Sequence, residues 1–438
     1  MGDEYDYDII IIGGGFAGLT AARELSGQGL SLAVLEARDR LGGRTWFKPW
    51  GDQFQEMGGG WVNWTQPHIW AEITRYNLSL FERPGWPKAY DAPLYAWVDG
   101  EVVTNTMAEN MGQIFPLIAE FANVASEVFP RPFDPHSSMG QIRQYDHLSN
   151  EDRLNEMEVT PLQRVLLSRF LAMQCHNHPN MGGYVEFLRW YALAHYNLEI
   201  YLSTTARYQF TEGTQALVDA LLGDIEADIQ LDCPAQAISQ DAERVTITTI
   251  AGSKVSARQA IVAVPVNVLN AIHFSPALNE GKQALSRERH SGAGQKLFVK
   301  VAGHWPHLNC AGDADAPLTT VIVQEATETE TLLVVFTVND KLEPVSKESI
   351  QAALQTFVPK IEVIDFVYHN WANDPYALGT WCGYRPGQTS SYLAQAQASE
   401  GRLFFAGADL ANGWRGFIDG AIESGLRVAG EVKRMYLV

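Results

Sequence analysis

The chain has 438 residues, of which 46% are apolar and 19% charged, and its formal net charge is −19. This length predicts two or three folding units that share a large buried core. The negative charge argues against nucleic acid and anionic membrane surfaces as partners, because both are themselves negatively charged.

The four cysteines lie far apart and form no CxxC pair, so they predict neither a disulfide framework nor a zinc site. The acidic N-terminal residues lack the basic region of a signal peptide, and no apolar run approaches the roughly 18 residues that span a bilayer. We therefore expect a soluble, cytoplasmic protein that holds no metal. The sequence does not decide whether the protein forms a homodimer.

The N-terminal region has the pattern of a strand, a glycine-rich turn, a helix and a second buried strand, over residues 6–12, 13–18, 19–25 and 32–35. This order is typical of the opening of a doubly wound α/β domain. The C-terminal region repeats strand, glycine-rich turn and helix over 403–435. We expect the two ends to meet in one cofactor domain.

Between the two ends, residues 105–200 have a helical pattern, whereas 228–265, 296–302 and 319–338 are rich in strand formers. These patterns predict an α/β fold in which a substrate domain is inserted into the cofactor domain. The predicted cofactor domain comprises 1–80, 205–275 and 385–438. The predicted substrate domain is α+β and comprises 81–204 and 276–384, with 105–204 mainly helical.

The segment Gly13-Gly-Gly-Phe-Ala-Gly18 follows the first strand and opens the first helix. Gly13 permits a tight turn, Gly15 lets the backbone approach a pyrophosphate, and Gly18 lets the helix pack closely on the strand. Glu36 ends the second strand, where a carboxylate accepts hydrogen bonds from ribose hydroxyls. The pattern predicts a dinucleotide site, and the alternative is a purely structural turn.

Three further segments carry a resemblance that bears on which dinucleotide is bound. They read Glu36-Ala-Arg-Asp-Arg-Leu-Gly-Gly-Arg44, Glu56-Met-Gly-Gly-Gly-Trp61, and Phe404-Phe-Ala-Gly-Ala-Asp409 with Trp414-Arg-Gly-Phe-Ile-Asp-Gly-Ala-Ile-Glu-Ser-Gly425. Together they resemble the flavin amine oxidase family over nearly the whole chain. The resemblance implies a doubly wound FAD-binding domain of the GR2 or amine-oxidase type.

The resemblance also assigns residues to the cofactor. It places a helix N-terminus, at Phe417 and Ile418, against the flavin edge where negative charge develops on reduction. In covalent members of the family a cysteine precedes the aromatic residue of the substrate box, and Thr380 occupies that position here. We therefore expect non-covalent FAD. The residues implied are Gly13, Gly15, Ala17, Gly18, Glu36, Ala37, Arg38, Gly43, Arg44, Met57, Gly58, Gly59, Trp61, Ala235, Trp371, Gly407, Asp409, Gly416, Phe417 and Ile418.

The same resemblance implies three catalytic residues. Lys296 aligns with the family lysine that reaches the flavin through a water, and Trp381 and Phe417 align with the aromatic box around the amine. Apolar walls disfavour the ammonium form and so favour the neutral amine that can be oxidised. The family often has tyrosine where Phe417 stands. The alternative for both aromatics is simple core packing.

Within the family the chain resembles the bacterial 6-hydroxynicotine oxidases. The resemblance rests on the segments Glu288-Arg-His-Ser-Gly-Ala-Gly-Gln-Lys296, His369-Asn-Trp-Ala-Asn-Asp-Pro375, Arg385-Pro-Gly-Gln388 and Ala194-His-Tyr196. This implies oxidation of the pyrrolidine C–N bond of (S)-6-hydroxynicotine, hydrolysis to 6-hydroxypseudooxynicotine, and reduction of O₂ to H₂O₂. The implied substrate contacts are Trp61, Trp381 and Phe417, with His176 or Asn177 at the pyridone end.

Two alternatives remain open from the sequence. The first is another flavin amine oxidase, acting on a polyamine, a monoamine or an L-amino acid. An L-amino acid oxidase needs an arginine that binds the substrate carboxylate. The sequence does not identify one, because it does not show whether Arg189 or Arg385 lies in the substrate pocket. The second alternative is a protein with the flavin fold that binds a partner without catalysis.

Overall fold

The computed structural model describes residues 5–83 and 91–436. The strands within these ranges are β1 Tyr7–Ile12, β2 Leu32–Leu35, β3 Phe47–Trp50, β4 Gln53–Glu56, β5 Trp61–Val62, β6 Leu80–Glu82, β7 Pro93–Val98, β8 Glu101–Thr106, β9 Tyr208–Phe210, β10 Asp228–Gln230, β11 Ala235–Gln240, β12 Val245–Thr249, β13 Lys254–Val262, β14 His273–Ser275, β15 Gln295–Ala302, β16 Asn309–Ala311, β17 Thr320–Ala326, β18 Glu330–Thr337, β19 Val363–Tyr368 and β20 Leu403–Phe405.

The α-helices are α1 Phe16–Leu25, α2 Pro67–Arg75, α3 Met107–Phe121, α4 Ala125–Val128, α5 Met139–Tyr145, α6 Asn150–Asn155, α7 Pro161–Cys175, α8 Tyr184–Leu193, α9 Leu198–Ala206, α10 Gln215–Leu222, α11 Glu280–Glu288, α12 Lys347–Phe357, α13 Gln388–Gln397 and α14 Ile418–Tyr436. In the described parts of the chain, none of these helices combines the length and the apolar character that crossing a membrane requires.

The first large sheet has the strand order β10-β2-β1-β13-β12-β11-β14, and β20 also pairs with β13. Its central strands are parallel, with β1 between β2 and β13. Alternate residues of β1 point to opposite faces. Ile9 and Ile11 pack in a core with α1 and α14, whereas Ile10 and Ile12 pack with residues of α11 and α13. Both faces are therefore covered, which explains the continuous apolar run of β1.

The turn between β1 and α1 depends on its glycines. A Cβ on Gly18 would lie 2.0 Å from the carbonyl oxygen of Gly13, which has a φ of +108°. A Cβ on Gly425 of α14 would lie 2.5 Å from the carbonyl oxygen of Ala17. These approaches bring α1 against both the strand and the C-terminal helix, so the two ends of the chain meet.

The second large sheet has the order β19-β15-β18-β17-β16-β7-β8. One face packs on α12, where Leu297 and Val335 are buried with Ile350. On the opposite face, Phe298 and Phe336 pack with Trp371 and Trp381. The second face is the one that meets the site.

Helices α3 to α9 form a third region with its own core, which also contains Trp414 of the C-terminal segment. Glu186 of α8 is fully buried and pairs with Arg189 at 2.9 Å and with Arg415 at 2.6 Å. Burial raises the pKa of Glu186, but the two guanidinium charges outweigh it and hold the pKa below its ordinary value. This ion pair joins the helical region to the C-terminal segment.

The predicted fold class is confirmed, and the observed bounds differ from the predicted ones by a few residues at most elements. Strand β13 ends at Val262, and a short 3-10 helix begins at Val266 after Pro265. The division into a cofactor domain and an inserted substrate domain stays a proposal. It is supported by the grouping of the strands into two large sheets with a helical region between residues 107 and 206.

Candidate functional site

A cavity of about 920 Å³ is lined by residues of the two large sheets and of the helical region. One part of its wall contains Gly13, Glu36 and Ala235, and another contains Trp381 and Phe417. Its volume is at the upper end of the range for cofactor and ligand sites. The cavity therefore has room for a dinucleotide together with a small substrate.

The N-terminus of α1 faces this cavity. Gly15 is the N-cap and supplies no side-chain hydrogen bond to the first turn. The first N–H groups of a helix lack internal acceptors, and the helix dipole makes this end positive. A Cβ on Gly15 would have Gly43 Cα, 3.7 Å away, as its neighbour within 4 Å. The turn fits a pyrophosphate, because N–H donors are available and no side chain blocks the approach.

Glu36 lies at the end of β2, beside the turn. One carboxylate oxygen accepts a hydrogen bond from Gly14 N–H at 2.7 Å and the other from Arg38 N–H at 2.9 Å. Arg38 also donates to Asp374 at 2.7 Å. Burial raises the pKa of Asp374, but hydrogen bonds from His369 and Arg38 outweigh it and lower the pKa overall. This network holds the Arg38 side chain at the cavity wall.

Arg44 is held by a buried carboxylate behind it. Its Nη2 donates to Asp409 at 2.6 Å, and its Nη1 donates to the carbonyl of Thr380 at 2.8 Å. Asp409 also accepts a hydrogen bond from Val266 N–H at 3.0 Å. Burial raises the pKa of Asp409, and the Arg44 charge opposes it, so the pKa is lowered overall. Asp409 is therefore placed to orient Arg44.

Lys296 is buried at the start of β15 and lines the cavity. Its Nζ donates to the carbonyl oxygens of Glu56 at 2.6 Å and Gly58 at 3.0 Å. Burial lowers the pKa of Lys296 to about 8. An ammonium carries three donors, so one N–H remains beyond the two carbonyl contacts.

Several aromatic side chains line the same cavity as Lys296, and one of them, Phe336, lies opposite Lys296 in the sheet. The indole N–H of Trp381 donates to the carbonyl of Gln174 at 3.0 Å, which fixes the ring. Phe417 packs on Trp190 with ring centroids 4.7 Å apart, and Phe336 lies 6.4 Å from Trp381. These rings form an apolar enclosure in which the neutral form of an amine is favoured over the ammonium.

His176 stacks behind Trp381, with ring centroids 3.8 Å apart and an interplanar angle of 6°. It caps α7 at a φ of +48°, and its Nδ1 shares a 2.8 Å hydrogen bond with Thr380 Oγ1. Burial lowers the pKa of His176 to about 3, so the ring is neutral. This geometry makes His176 a support for Trp381. The side chain of Asn177 donates to the carbonyl of Ser291 at 2.7 Å.

The structure brings most of the predicted residues together at the cavity wall. Three are placed elsewhere: Gly18 packs under the turn, Asp409 lies behind Arg44, and Asn177 bonds to the backbone. The predicted residues that line the cavity are Gly13, Gly15, Ala17, Glu36, Ala37, Arg38, Gly43, Arg44, Met57, Gly58, Gly59, Trp61, His176, Ala235, Lys296, Trp371, Trp381, Gly407, Gly416, Phe417 and Ile418.

Several lining residues were not predicted from the sequence, among them Trp190, Thr320, Phe336 and Arg169. The strands that contain Thr320 and Phe336 read TVIVQEA and ETLLVVFT, with apolar residues at successive positions. Such a run predicts a strand but does not say which of its faces meets the site.

The arginines that the sequence left unplaced lie outside the cavity wall. Arg189 is fully buried against Glu186, and Arg385 does not line the cavity. Arg83, Arg169 and Arg207 do line it.

Cys175, Cys310 and Cys382 do not line the cavity. Cys382 is fully buried in the core beneath the first sheet, and Thr380, at the position of the family's flavin-bearing cysteine, is bonded to His176. Cys233 is the one cysteine in the described cavity wall, and it adjoins Pro234 and Ala235.

Comparison with known proteins identifies the family of this chain. The family described as flavin containing amine oxidoreductase matches residues 16–433. The chain is 38% identical to a pseudooxynicotine dehydrogenase of Pseudomonas sp, over 98% of this chain and 86% of that one. It is 34% identical to a nicotine dehydrogenase of Pseudomonas putida, over 98% of this chain and 89% of that one.

The (S)-6-hydroxynicotine oxidase of Paenarthrobacter nicotinovorans is 29% identical over 95% of this chain and 97% of that one, so it is less similar than the pseudooxynicotine dehydrogenase. Wild-type putrescine oxidase bound to putrescine has the same fold, with a TM-score of 0.82 at 20% identity, covering 98% of this chain and 99% of that one. The flavin-type cavity, the buried lysine and the family match agree, and this chain belongs to the flavin-containing amine oxidoreductases.

Proposed function

We propose that this enzyme oxidises an alkylamine attached to a pyridine ring, by removing a hydride from the carbon next to the amine nitrogen. The observation that carries the proposal is the apolar enclosure of Trp381, Phe417 and Phe336 beside the buried Lys296. A bound flavin would supply the acceptor for the hydride. The protein then has to hold the amine, exclude water and favour the neutral amine over its ammonium form.

The residues of the enclosure divide these tasks. Trp381 is fixed by its hydrogen bond to Gln174 and by the stacked His176, so it provides a rigid wall for the amine. Phe417 has no hydroxyl, so its wall offers only an apolar surface. Lys296 can hold a water through its remaining N–H, because its other two contacts are backbone carbonyls.

The names of the relatives narrow the choice of substrate. The (S)-6-hydroxynicotine of the sequence analysis remains one candidate, whose oxidised pyrrolidine would hydrolyse to 6-hydroxypseudooxynicotine. The name of the more similar relative favours pseudooxynicotine itself, which carries a secondary amine on a chain attached to a pyridyl ketone. Both molecules join an amine to a pyridine or pyridone ring, and that class is the substrate we propose.

We further propose that the cofactor is FAD and that it is not covalently bound. Thr380 and the core position of Cys382 support this, since neither offers a thiol at the aromatic end of the cavity. Acid precipitation tests it, because the yellow colour then stays in the supernatant. Colour that remains in the pellet would contradict it, and a colourless purified protein would favour the partner-binding alternative.

The function is tested by mixing the enzyme with each member of a substrate panel under anaerobic conditions. The rate at which the flavin absorbance bleaches measures the reaction. The panel contains pseudooxynicotine, (S)-6-hydroxynicotine, nicotine, putrescine, a simple monoamine and an L-amino acid. We expect the pyridyl amines to bleach the flavin fastest. Faster reduction by putrescine or by the amino acid would replace the proposed substrate class.

The electron acceptor is a separate part of the proposal. We propose O₂, which takes two electrons and two protons to form H₂O₂. The two most similar relatives given above are named dehydrogenases, so the reaction is run with O₂ and with an artificial acceptor in parallel. Peroxide formed at the rate of amine consumption supports O₂. Turnover only with the artificial acceptor contradicts it.

A further inference from the structure

A row of three side chains crosses the second sheet along the cavity wall. Lys296 on β15 lies opposite Phe336 on β18, which in turn lies opposite Thr320 on β17. Residues directly opposite in paired strands share a face, and all three line the cavity. Because neighbouring strands are about 4.8 Å apart, the Cα of Thr320 is about 10 Å from that of Lys296.

Arg169 of α7 lies at the far end of this row. Its Nε donates a hydrogen bond to Thr320 Oγ1 at 2.9 Å. Helix α7 gives a second estimate of the distance between the two ends of the substrate region. Arg169 precedes His176 by about two turns, or about 10 Å along the helix axis. Sheet and helix therefore agree that Arg169 is at the opposite end of the substrate region from Trp381 and Lys296.

Arg169 is half-buried and its side chain lines the cavity. Desolvation lowers the pKa of its guanidinium to about 10; the nearby Cys310 opposes this shift and the charge of Arg83 adds to it, so the group stays protonated at neutral pH. Within residues 5–83 and 91–436, no carboxylate pairs with it and no group accepts a hydrogen bond from its terminal nitrogens. A guanidinium has five N–H donors, and Thr320 uses one.

We propose that Arg169, held in place by Thr320, binds an uncharged hydrogen-bond acceptor at the end of the substrate remote from the amine. A pyridine nitrogen and a ketone oxygen share this chemistry. The net charge of −19 disfavours the approach of an anion, which argues against a carboxylate in this role. The proposal rests on the proposed function. It assigns to the Arg169 guanidinium the preference of the enzyme for one amine substrate over another.

The test compares wild type with Arg169→Met, which keeps the length of the side chain and removes its donors. Three amines are used: pseudooxynicotine, its phenyl analogue without the ring nitrogen, and its deoxy analogue with a methylene in place of the ketone. A hydrogen bond to a charged group predicts a rise in KM of about 10- to 100-fold for pseudooxynicotine, with kcat little changed. The analogue that lacks the bonded acceptor shows the same KM in both proteins, which tells the ring nitrogen from the ketone.

The matched control is Arg207→Met. Arg207 also lines the cavity, but its guanidinium is paired with Glu82 at 2.7 Å. We expect this control to leave the ratio of KM values among the three amines unchanged. The proposal is overturned if Arg169→Met changes KM equally for all three amines, or if Arg207→Met changes the ratio as much as Arg169→Met does.

A binding measurement separates this inference from the proposed function. Calorimetry with a pyridyl alkyl ketone that carries no amine measures affinity without turnover, and we expect Arg169→Met to weaken it by the same factor. If no pyridyl amine bleaches the flavin but this binding is lost in Arg169→Met, the proposed function fails and the acceptor site stands. If a carboxylate-bearing alkane binds more tightly than the ketone, the ligand class proposed here is wrong.

Discussion

Lys296 provides the sharpest quantitative prediction. Burial lowers its pKa from the usual 10.5 to about 8. The difference corresponds to about 3 kcal/mol of free energy, at about 1.4 kcal/mol for each unit of pH. Since the folded chain binds this proton less tightly than the unfolded chain, the free energy of unfolding rises with pH between about 8 and 10.5.

The perturbation is Lys296→Met, which removes the titrating group. Relative to this variant, wild type gains about 2 kcal/mol of stability as the pH is raised from about 7.5 to about 9.5. Urea unfolding of the flavin-loaded proteins at both pH values, with the same excess of FAD, measures the change. The control is Lys300→Met on the same strand, where the ammonium is partly exposed and 3.7 Å from Glu330, and which we expect to follow wild type.

The reasoning is refuted if wild type and Lys296→Met gain or lose stability in parallel across this range. That result would mean that the Lys296 ammonium is not desolvated in the folded protein. A direct check is an NMR titration of isotope-labelled lysine side chains. The resonance that is missing in Lys296→Met should then titrate near pH 8.

Three further predictions concern the cofactor and the aromatic wall. His176→Ala removes the stacked support of Trp381 and should raise KM by about 2- to 10-fold in steady-state kinetics, because such ring pairs contribute about 0.5–1.5 kcal/mol. Gly18→Ala should lose flavin, measured by absorbance, since its Cβ would lie 2.0 Å from a backbone oxygen. Asp409→Asn leaves Arg44 without its carboxylate, and calorimetric unfolding should show a loss of about 3–5 kcal/mol.

Each of these predictions has a control or a refuting result. Thr380→Val keeps the stacked rings and should change KM less than His176→Ala; an equal change would assign the effect to the hydrogen bond. Gly112→Ala, where the added Cβ meets nothing within 4 Å, should retain flavin. Full flavin content in Gly18→Ala, or unchanged stability in Asp409→Asn, would contradict the respective argument.

The sequence alone determined the features that depend on neighbouring residues. The glycine spacing from Gly13 to Gly18 predicts the turn and the start of α1, because the conformations and close approaches there are open only to glycine. The apolar run of β1 predicts a strand covered on both faces. These local requirements, with the distant C-terminal motif, were enough to identify a flavin amine oxidase.

Only the tertiary structure decided which side chains act together at the site. It sets His176 behind Trp381, Asp409 behind Arg44, and Arg169 beside Thr320. The partners in these pairs are more than a hundred residues apart in the chain, and they meet through strand register and the packing of α7 on the second sheet. No local pattern encodes that register, because an alternating strand presents either face equally well until its neighbours are in place.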